Sequence, residues 1–295
     1  MITRADDGTA HVKGAEIVPK GSGPYDGSVF LHPGLRSTLN SETTPTARPA
    51  SPLRRGIFLL PNLLTTGCLA CGFYAIVAAI HGDFARAGQA IFLALFFDGL
   101  DGRVARWTRT ESVFGKEYDS LADMVAFGVA PALVAYQWGV EAIAEYGSAW
   151  GSFGWVASFC YAVCAALRLA RFNARAATAD KRYFEGLPSP SAAGLVAAFV
   201  WFSSEWLEPD LAGLVLTFSV CLLAGLLMVS AVPYPSIKQI DWNARVKFFY
   251  FVIVPLSLAL VVANPPPMLL FLFTCYVGLA PILWLWRRLR RSVGA

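Results

Sequence analysis

Between Asp98 and Asp123 the chain carries the pattern D-x2-D-G-x2-A-R-x8-G-x3-D-x3-D, fixed at Asp98, Asp101, Gly102, Ala105, Arg106, Gly115, Asp119 and Asp123. Asp98 and Asp101 are three residues apart and Asp119 and Asp123 four apart, so on helices each pair occupies one face. The two pairs border strongly apolar runs, LFFDGLD before and DSLADMVAFGVAPALVAY after. One carboxylate at membrane depth costs about 2.5–3.5 kcal/mol on insertion scales, and four cost on the order of 10 kcal/mol by simple addition. Carboxylates gathered in one small volume repel unless they are protonated or bridged by cations. Hard oxygen ligands suit Mg2+ or Mn2+, and two such ions about 4 Å apart can clamp a pyrophosphate, activating phosphorus and stabilising the departing phosphate. Gly102 and Gly115 allow a nucleotide to approach the backbone closely, and Arg106 offers a planar fork suited to phosphate. A single Asp in such a place is equally well a solvated helix cap or a partner for Arg103 or Arg106. Four at this spacing, with both glycines and Arg106, favour a metal and phosphate site. The residues alone do not reach the identity of the nucleotide.

The elements that must position these groups are membrane helices. The 295 residues are 56% hydrophobic and only 15% charged, with mean hydropathy +0.52, whereas soluble domains carry about a quarter charged residues. The fold class expected is all-α, a polytopic membrane helix bundle of about eight transmembrane helices. Runs near the length needed to cross a bilayer place spans at about 62–81, 84–105, 119–140, 150–171, 190–207, 211–232, 247–263 and 267–286, with a loop of about ten residues between the second and third. Residues 1–52 are rich in Pro and Gly and lack sustained apolar periodicity, so they read as a disordered tail. Residues 53–235 then form the catalytic domain, and residues 236–295 add two C-terminal helices and a basic end. All six cysteines fall within apolar runs, where free Cys behaves as a small hydrophobe, so Cys68 and Cys71 are read as packing residues despite their C-x-x-C spacing. No secretory signal precedes the first apolar run near Ile57, and no nucleic-acid partner is expected.

Orientation follows from Lys and Arg, which favour cytoplasmic loops. With the N-terminus inside, Arg86 alone of the 24 Lys and Arg residues falls in an outer loop. Outer loops instead carry Asp83, Glu141, Glu145, Glu205, Glu208 and Asp210. Both termini and the aspartate cluster are therefore expected on the cytoplasmic side of the membrane.

The Asp98–Asp123 pattern resembles, at every fixed position, the signature of the CDP-alcohol phosphotransferases, membrane enzymes that displace CMP from a CDP-linked lipid or alcohol. That resemblance implies a six-helix catalytic core. It also implies that Asp98, Asp101 and Asp119 are metal ligands, and that Asp123 is the base for the incoming hydroxyl while also touching metal. Gly102, Ala105, Arg106 and Gly115 would line the cytidine diphosphate site. Over residues 55–235 the flanks DSLADMVAFGVAPALVAY, CAALRLARFN and FEGLPSPSAAG resemble the bacterial membrane-embedded phosphatidylserine synthases within that family. They imply CDP-diacylglycerol as donor, L-serine as acceptor, membrane lipids as surroundings and a homodimer. Glycerol 3-phosphate, inositol phosphate and choline stay open as acceptors. A cation transporter is the alternative of another class, because intramembrane carboxylates also mark ion pathways. Transporters place such groups near the midplane, often in repeated halves, whereas here all four sit at one face without a second copy.

Serine brings a carboxylate beside its hydroxyl, so its site needs a cation near the metals. Arg168 and Arg171, three apart at the inner end of the fourth span and followed by Asn173, supply one at the depth of the aspartates. The competing reading is that they obey the positive-inside rule or hold lipid head groups. Gly186, Pro188 and Pro190 in EGLPSPS shape the entry to the fifth span, with Glu185 in a structural role. Pro61 and Asn62 stand either near the nucleotide or simply at a helix start. His81 reads as interfacial, and Trp201, Trp284 and Trp286 as members of aromatic belts. RRLRR at 287–291 reads as an anchor to anionic lipid. The orientation is tested by a cysteine at Ser112 in a background lacking native cysteines. An impermeant thiol reagent should reach it only from the cytoplasmic side, and labelling from outside intact cells would invert the topology.

Overall fold

The computed structural model describes residues 3–4, 10–12, 15–16, 52–108, 110, 112–143, 148–175, 183–207, 210–235 and 255–293. The chain divides into two units, Met1–Ala50 and Ser51–Ala295. In the first, β1 (Thr3–Arg4), β2 (Ala10–Val12) and β3 (Ala15–Glu16) pair antiparallel in that order. The rest of the tail expected to be disordered lies outside the described residues.

The second unit is a helix bundle. Its helices are α1 (Pro52–Ile80), α2 (Phe84–Thr108), α3 (Val113–Asp123), α4 (Ala130–Ile143), α5 (Ser148–Arg175), α6 (Ser189–Trp206), α7 (Leu211–Val229), α8 (255–263) and α9 (Pro265–Val293). Between α5 and α6 lies β4 (Tyr183–Glu185), which pairs antiparallel with β5 (Pro233–Pro235) after α7. Five segments are long and apolar enough to cross a membrane: Leu60–Ile80, Val113–Gly139, Ser152–Ala174, Leu211–Val229 and Pro265–Trp286. The chain is thus a polytopic helical membrane protein, as its composition requires. Two further expected spans, 84–105 and 190–207, are helices with reasons to be less apolar. α2 carries Arg86, Asp98 and Asp101. In α6, 12 of 18 residues are buried, so protein rather than lipid surrounds it. The expected span 247–263 lies partly outside the described residues.

The second and third helices extend further than their apolar runs. α2 ends at Thr108 and α3 begins at Val113, so the connection is much shorter than the ten residues expected. Ser112 supplies the reason: its Oγ accepts from the Gly115 N–H at 2.9 Å and caps α3 early. Hydrocarbon thickness limits the apolar stretch but not the polar turns beyond it.

Small residues set the distances between helices, as is usual where lipid offers no hydrophobic drive. Ala75, Ala78, Ala79, Ala87, Ala90 and Ala94 are buried along α1 and α2. Gly72 of α1 comes so near the turn after α3 that an added Cβ would stand 2.7 Å from Ala126 Cα. That turn, Met124–Val129, is a π-helical segment whose end is closed by the Ala130 N–H bonding to Val125 O. Its cause is readable in Pro131, which has no N–H for the carbonyl four residues back and crowds it. The freed carbonyl of Phe127 accepts from the buried Tyr161 hydroxyl at 3.1 Å. The same arrangement recurs in α9, where Pro281 leaves Val277 O open and the buried Tyr234 hydroxyl donates to it at 3.1 Å.

One expectation is corrected. Trp201 does not belong to an interfacial belt; it is 7% exposed, packs 6.4 Å from the Phe92 ring, and donates through Nε1 to Glu205 at 2.6 Å. Its side chain fits the space left by Gly88, a tertiary contact that aromatic spacing does not reveal. Trp286 remains half exposed, with the Arg290 guanidinium 4.0 Å above its ring.

Entry to α6 depends on Gly186, whose φ of 82° lies in the left-handed region and whose absent Cβ would collide with Met228 O. The Gly186 N–H bonds to Val232 O at 2.9 Å and Leu187 N–H to Leu227 O at 3.0 Å, and Pro188 then precedes the helix. Gly186→Ala should therefore destabilise the bundle by about 1–3 kcal/mol or more, the scale of a strained residue. Gly278→Ala, where an added methyl meets nothing within 4 Å, should be neutral or stabilising. Thermal midpoints of the two variants in detergent check the contrast.

Candidate active site

Three helices build the acidic cluster. Asp98 and Asp101 lie on α2, Asp119 and Asp123 on α3, and α1 packs against both. One carboxylate oxygen each from Asp98, Asp119 and Asp123 falls within 4.8 Å of the others. Asp101, 4% exposed, turns to α1, where its Oδ2 accepts from Thr65 Oγ1 at 2.8 Å. Thr65 is itself 4% exposed, and its hydroxyl also lies 3.1 Å from Pro61 O. The signature contains no Thr65, so this residue escaped sequence reasoning. Its only signal was proximity to Pro61 and Asn62.

A divalent cation fits these residues. Three carboxylates at such range repel unless a proton or a cation joins them, and Asp123 Oδ1 is buried without a hydrogen-bond partner among the described residues. An acceptor atom left dry in this way costs free energy unless something coordinates it. The wide turn that begins immediately after Asp123 shifts the register of the following helix at the cluster, and such single π turns are frequent at functional sites.

The expected nucleotide-binding positions lie at the adjoining helix ends. Gly102 is exposed, with nothing within 4 Å of an added Cβ. Arg106 is exposed and folds back along its own helix, Nε donating to Gly102 O at 2.7 Å. Ala105 is half-buried, and its carbonyl accepts from the Thr110 N–H at 3.0 Å, closing the turn after α2. At Gly115 an added Cβ would lie 3.0 Å from Ser112 Oγ and 3.3 Å from Asn62 Oδ1, which brings Asn62 beside the pattern. A 2.9 Å hydrogen bond between Thr66 and Tyr118 fastens α1 to α3 next to it.

The expected acceptor residues divide by contact. Arg168 Nη1 donates to Ser189 Oγ at 2.8 Å, while its Nε is buried without a partner among the described residues, and Asp123 lies within its electrostatic range. Arg171 is engaged by main-chain carbonyls, Nη2 with Glu185 O at 2.8 Å and Nη1 with Val229 O at 3.3 Å. Asn173 donates to Ser120 Oγ at 3.0 Å, next to Asp119. His81 caps the far end of α1 through Val77 O at 2.7 Å, and Cys68 and Cys71 are free thiols.

Comparison with known proteins places the chain in a family. Residues 58–232 match the CDP-alcohol phosphatidyltransferase family. A Helicobacter pylori protein named CDP-diacylglycerol–serine O-phosphatidyltransferase is 39% identical over 239 residues, covering 80% of this chain and 94% of that one. Proteins of the same name from Mycobacterium leprae and Methanocaldococcus jannaschii are each 33% identical, over 82% and 68% of this chain and 74% and 85% of their own lengths. With the acidic cluster, its glycines and its arginine all inside the matched residues, this chain belongs to the CDP-alcohol phosphatidyltransferase family.

Proposed function

We propose that this protein transfers phosphatidyl from CDP-diacylglycerol to L-serine and releases CMP. The observation that carries the proposal is the meeting of Asp98, Asp119 and Asp123 within 4.8 Å, with a buried oxygen on Asp123 that has no partner among the described residues. The family match and the printed names of the relatives support the choice of donor and acceptor. Mg2+ or Mn2+, taken as a pair, would be held by Asp98, Asp119 and Asp123, with Asp101 joining through the oxygen that Thr65 leaves free. When bound, the metals neutralise the carboxylates and the pyrophosphate and make phosphorus more electrophilic.

The chain's own residues do the rest. Gly102, Ala105, Arg106 and Gly115 cradle the cytidine diphosphate, Gly102 by its open backbone and Arg106 by its charge. Asp123 takes the proton of the serine hydroxyl. The hydroxyl oxygen bonds to the lipid-side phosphorus as the bond to the CMP oxygen breaks, and that electron pair leaves with CMP. Arg168, beside Asp123, receives the serine carboxylate. Arg171 and Asn173 act on the framework, the first by tying the α5 end to the backbone near β4 and α7, the second by holding Ser120. The site faces the cytoplasm of a bacterial inner membrane in this reading, where nucleotide and serine are available, and the working unit is a homodimer, which cross-linking in membranes tests.

Three measurements follow from these roles. EDTA should abolish CMP release and Mg2+ or Mn2+ restore it, and Asp98→Asn and Asp119→Asn should raise the metal requirement sharply or leave no activity; full turnover without metal would remove the metal assignment. CMP release with serine, glycerol 3-phosphate, inositol phosphate and choline in parallel should select serine. Asp123→Asn should retain binding of CDP-diacylglycerol and Mn2+ while serine-dependent release falls about 10²–10⁴-fold, the usual loss for one positioned base. If Asp123→Asn instead loses donor binding as fully as Asp98→Asn, Asp123 is a metal ligand only.

A further inference from the structure

The last helix lies beyond the residues that match the family, 58–232, yet it is docked specifically against the core of the same unit. Tyr234, two residues past the matched region, donates to the carbonyl of Val277 that Pro281 has left free. The Phe273 ring occupies the space at Gly194 of α6, where any added Cβ would strike it. These contacts bring Tyr276 to the start of α6. Its ring lies 6.0 Å from that of Tyr234, and, one helical turn from the Phe273–Gly194 contact on each helix, its hydroxyl faces the Ser191 side chain. Two residues earlier, on the same first turn, Ser189 accepts from Arg168 Nη1 at 2.8 Å. Arg168 lies within electrostatic range of both Asp123 and Tyr276.

An arginine fork binds a carboxylate best through two parallel N–H bonds. Ser189 engages Nη1, while Nε is buried and has no partner among the described residues. A buried donor of this kind is costly to leave dry, and it marks the side of the fork open to an anion.

We propose that Tyr276 is a positioning residue for the acceptor: through Ser191 and the first turn of α6 it holds Arg168 with its Nε side presented to the acceptor carboxylate, so that α9 forms a wall of the acceptor site. The proposal rests on serine being the acceptor. It explains why a helix outside the matched region is keyed to the core by a tyrosine, a glycine and a proline. An anionic phosphate of the donor has the same chemistry, and the two sources separate kinetically.

The test is CMP release by the full-length protein in lipid–detergent micelles, with serine titrated at saturating CDP-diacylglycerol and the reverse. It compares wild type, Tyr276→Phe, Ser191→Ala and the double variant. Tyr276→Phe keeps the ring and removes only the hydroxyl. Each single variant should raise the serine KM about 3–10-fold, the scale of one hydrogen bond, with the CDP-diacylglycerol KM and the thermal midpoint unchanged. The double variant should be no worse than either single one, because coupled residues are not additive. A shift in the CDP-diacylglycerol KM, additive effects, or a lowered midpoint with an unchanged serine KM would each overturn the proposal. Wild type that releases no CMP with serine overturns the serine reading and this inference with it. Normal serine-dependent release with an unshifted KM in Tyr276→Phe overturns this inference alone.

Discussion

Three carboxyl groups within 4.8 Å of one another on α2 and α3, in a bundle with five segments apolar enough to cross a membrane, are the constraint on which the other arrangements depend. Their repulsion grows as water is excluded, because low dielectric strengthens every charge interaction. The cluster is therefore tolerable only where its geometry suits a cation and where the helices carrying it cannot relax apart. The packing supplies that rigidity. Gly72 admits the backbone of α3's continuation to van der Waals range of α1, and the Thr66–Tyr118 bond fastens the same two elements nearer the cluster. Thr65 fixes the fourth carboxylate from the side of α1.

Backbone irregularity appears where it can be satisfied. Inside a membrane protein a freed carbonyl must find a donor in the protein itself. Pro131 and Pro281 each free one, and a buried tyrosine hydroxyl answers each. In the first case the result is a widened turn directly after Asp123. In the second it is a fixed depth for α9 against β5. Function and helix packing thus share the same hydrogen bonds: Tyr161 steadies the turn that follows Asp123, and Tyr234 steadies the helix that delivers Tyr276 toward Arg168.

Arg168 and Arg171 show how spacing can mislead by symmetry. Three residues apart on one helix, they look equivalent in sequence. In the fold, Arg171 meets the carbonyls of Glu185 and Val229, whereas Arg168 meets Ser189 and keeps a buried Nε with no partner among the described residues. The difference comes from the carbonyls at the end of β4 and the end of α7, which reach one arginine and not the other.

What the sequence determined by itself was everything carried by local spacing and composition. The membrane helices follow from apolar runs, and the metal-and-phosphate character follows from four aspartates, two glycines and one arginine at fixed intervals. Period and charge act over a few residues, so they are legible without a fold. Tertiary structure decided which side chains meet across helices. It set one oxygen of Asp101 against Thr65, beside the three carboxylates that lie within 4.8 Å of one another. It took Trp201 from the interface into the core and shortened the connection before α3 through the Ser112 cap. It also brought Tyr276 from beyond the matched region to Ser191. Such meetings depend on how closely two backbones approach, set here by glycines and alanines whose partners are distant in sequence, and no local pattern encodes that distance.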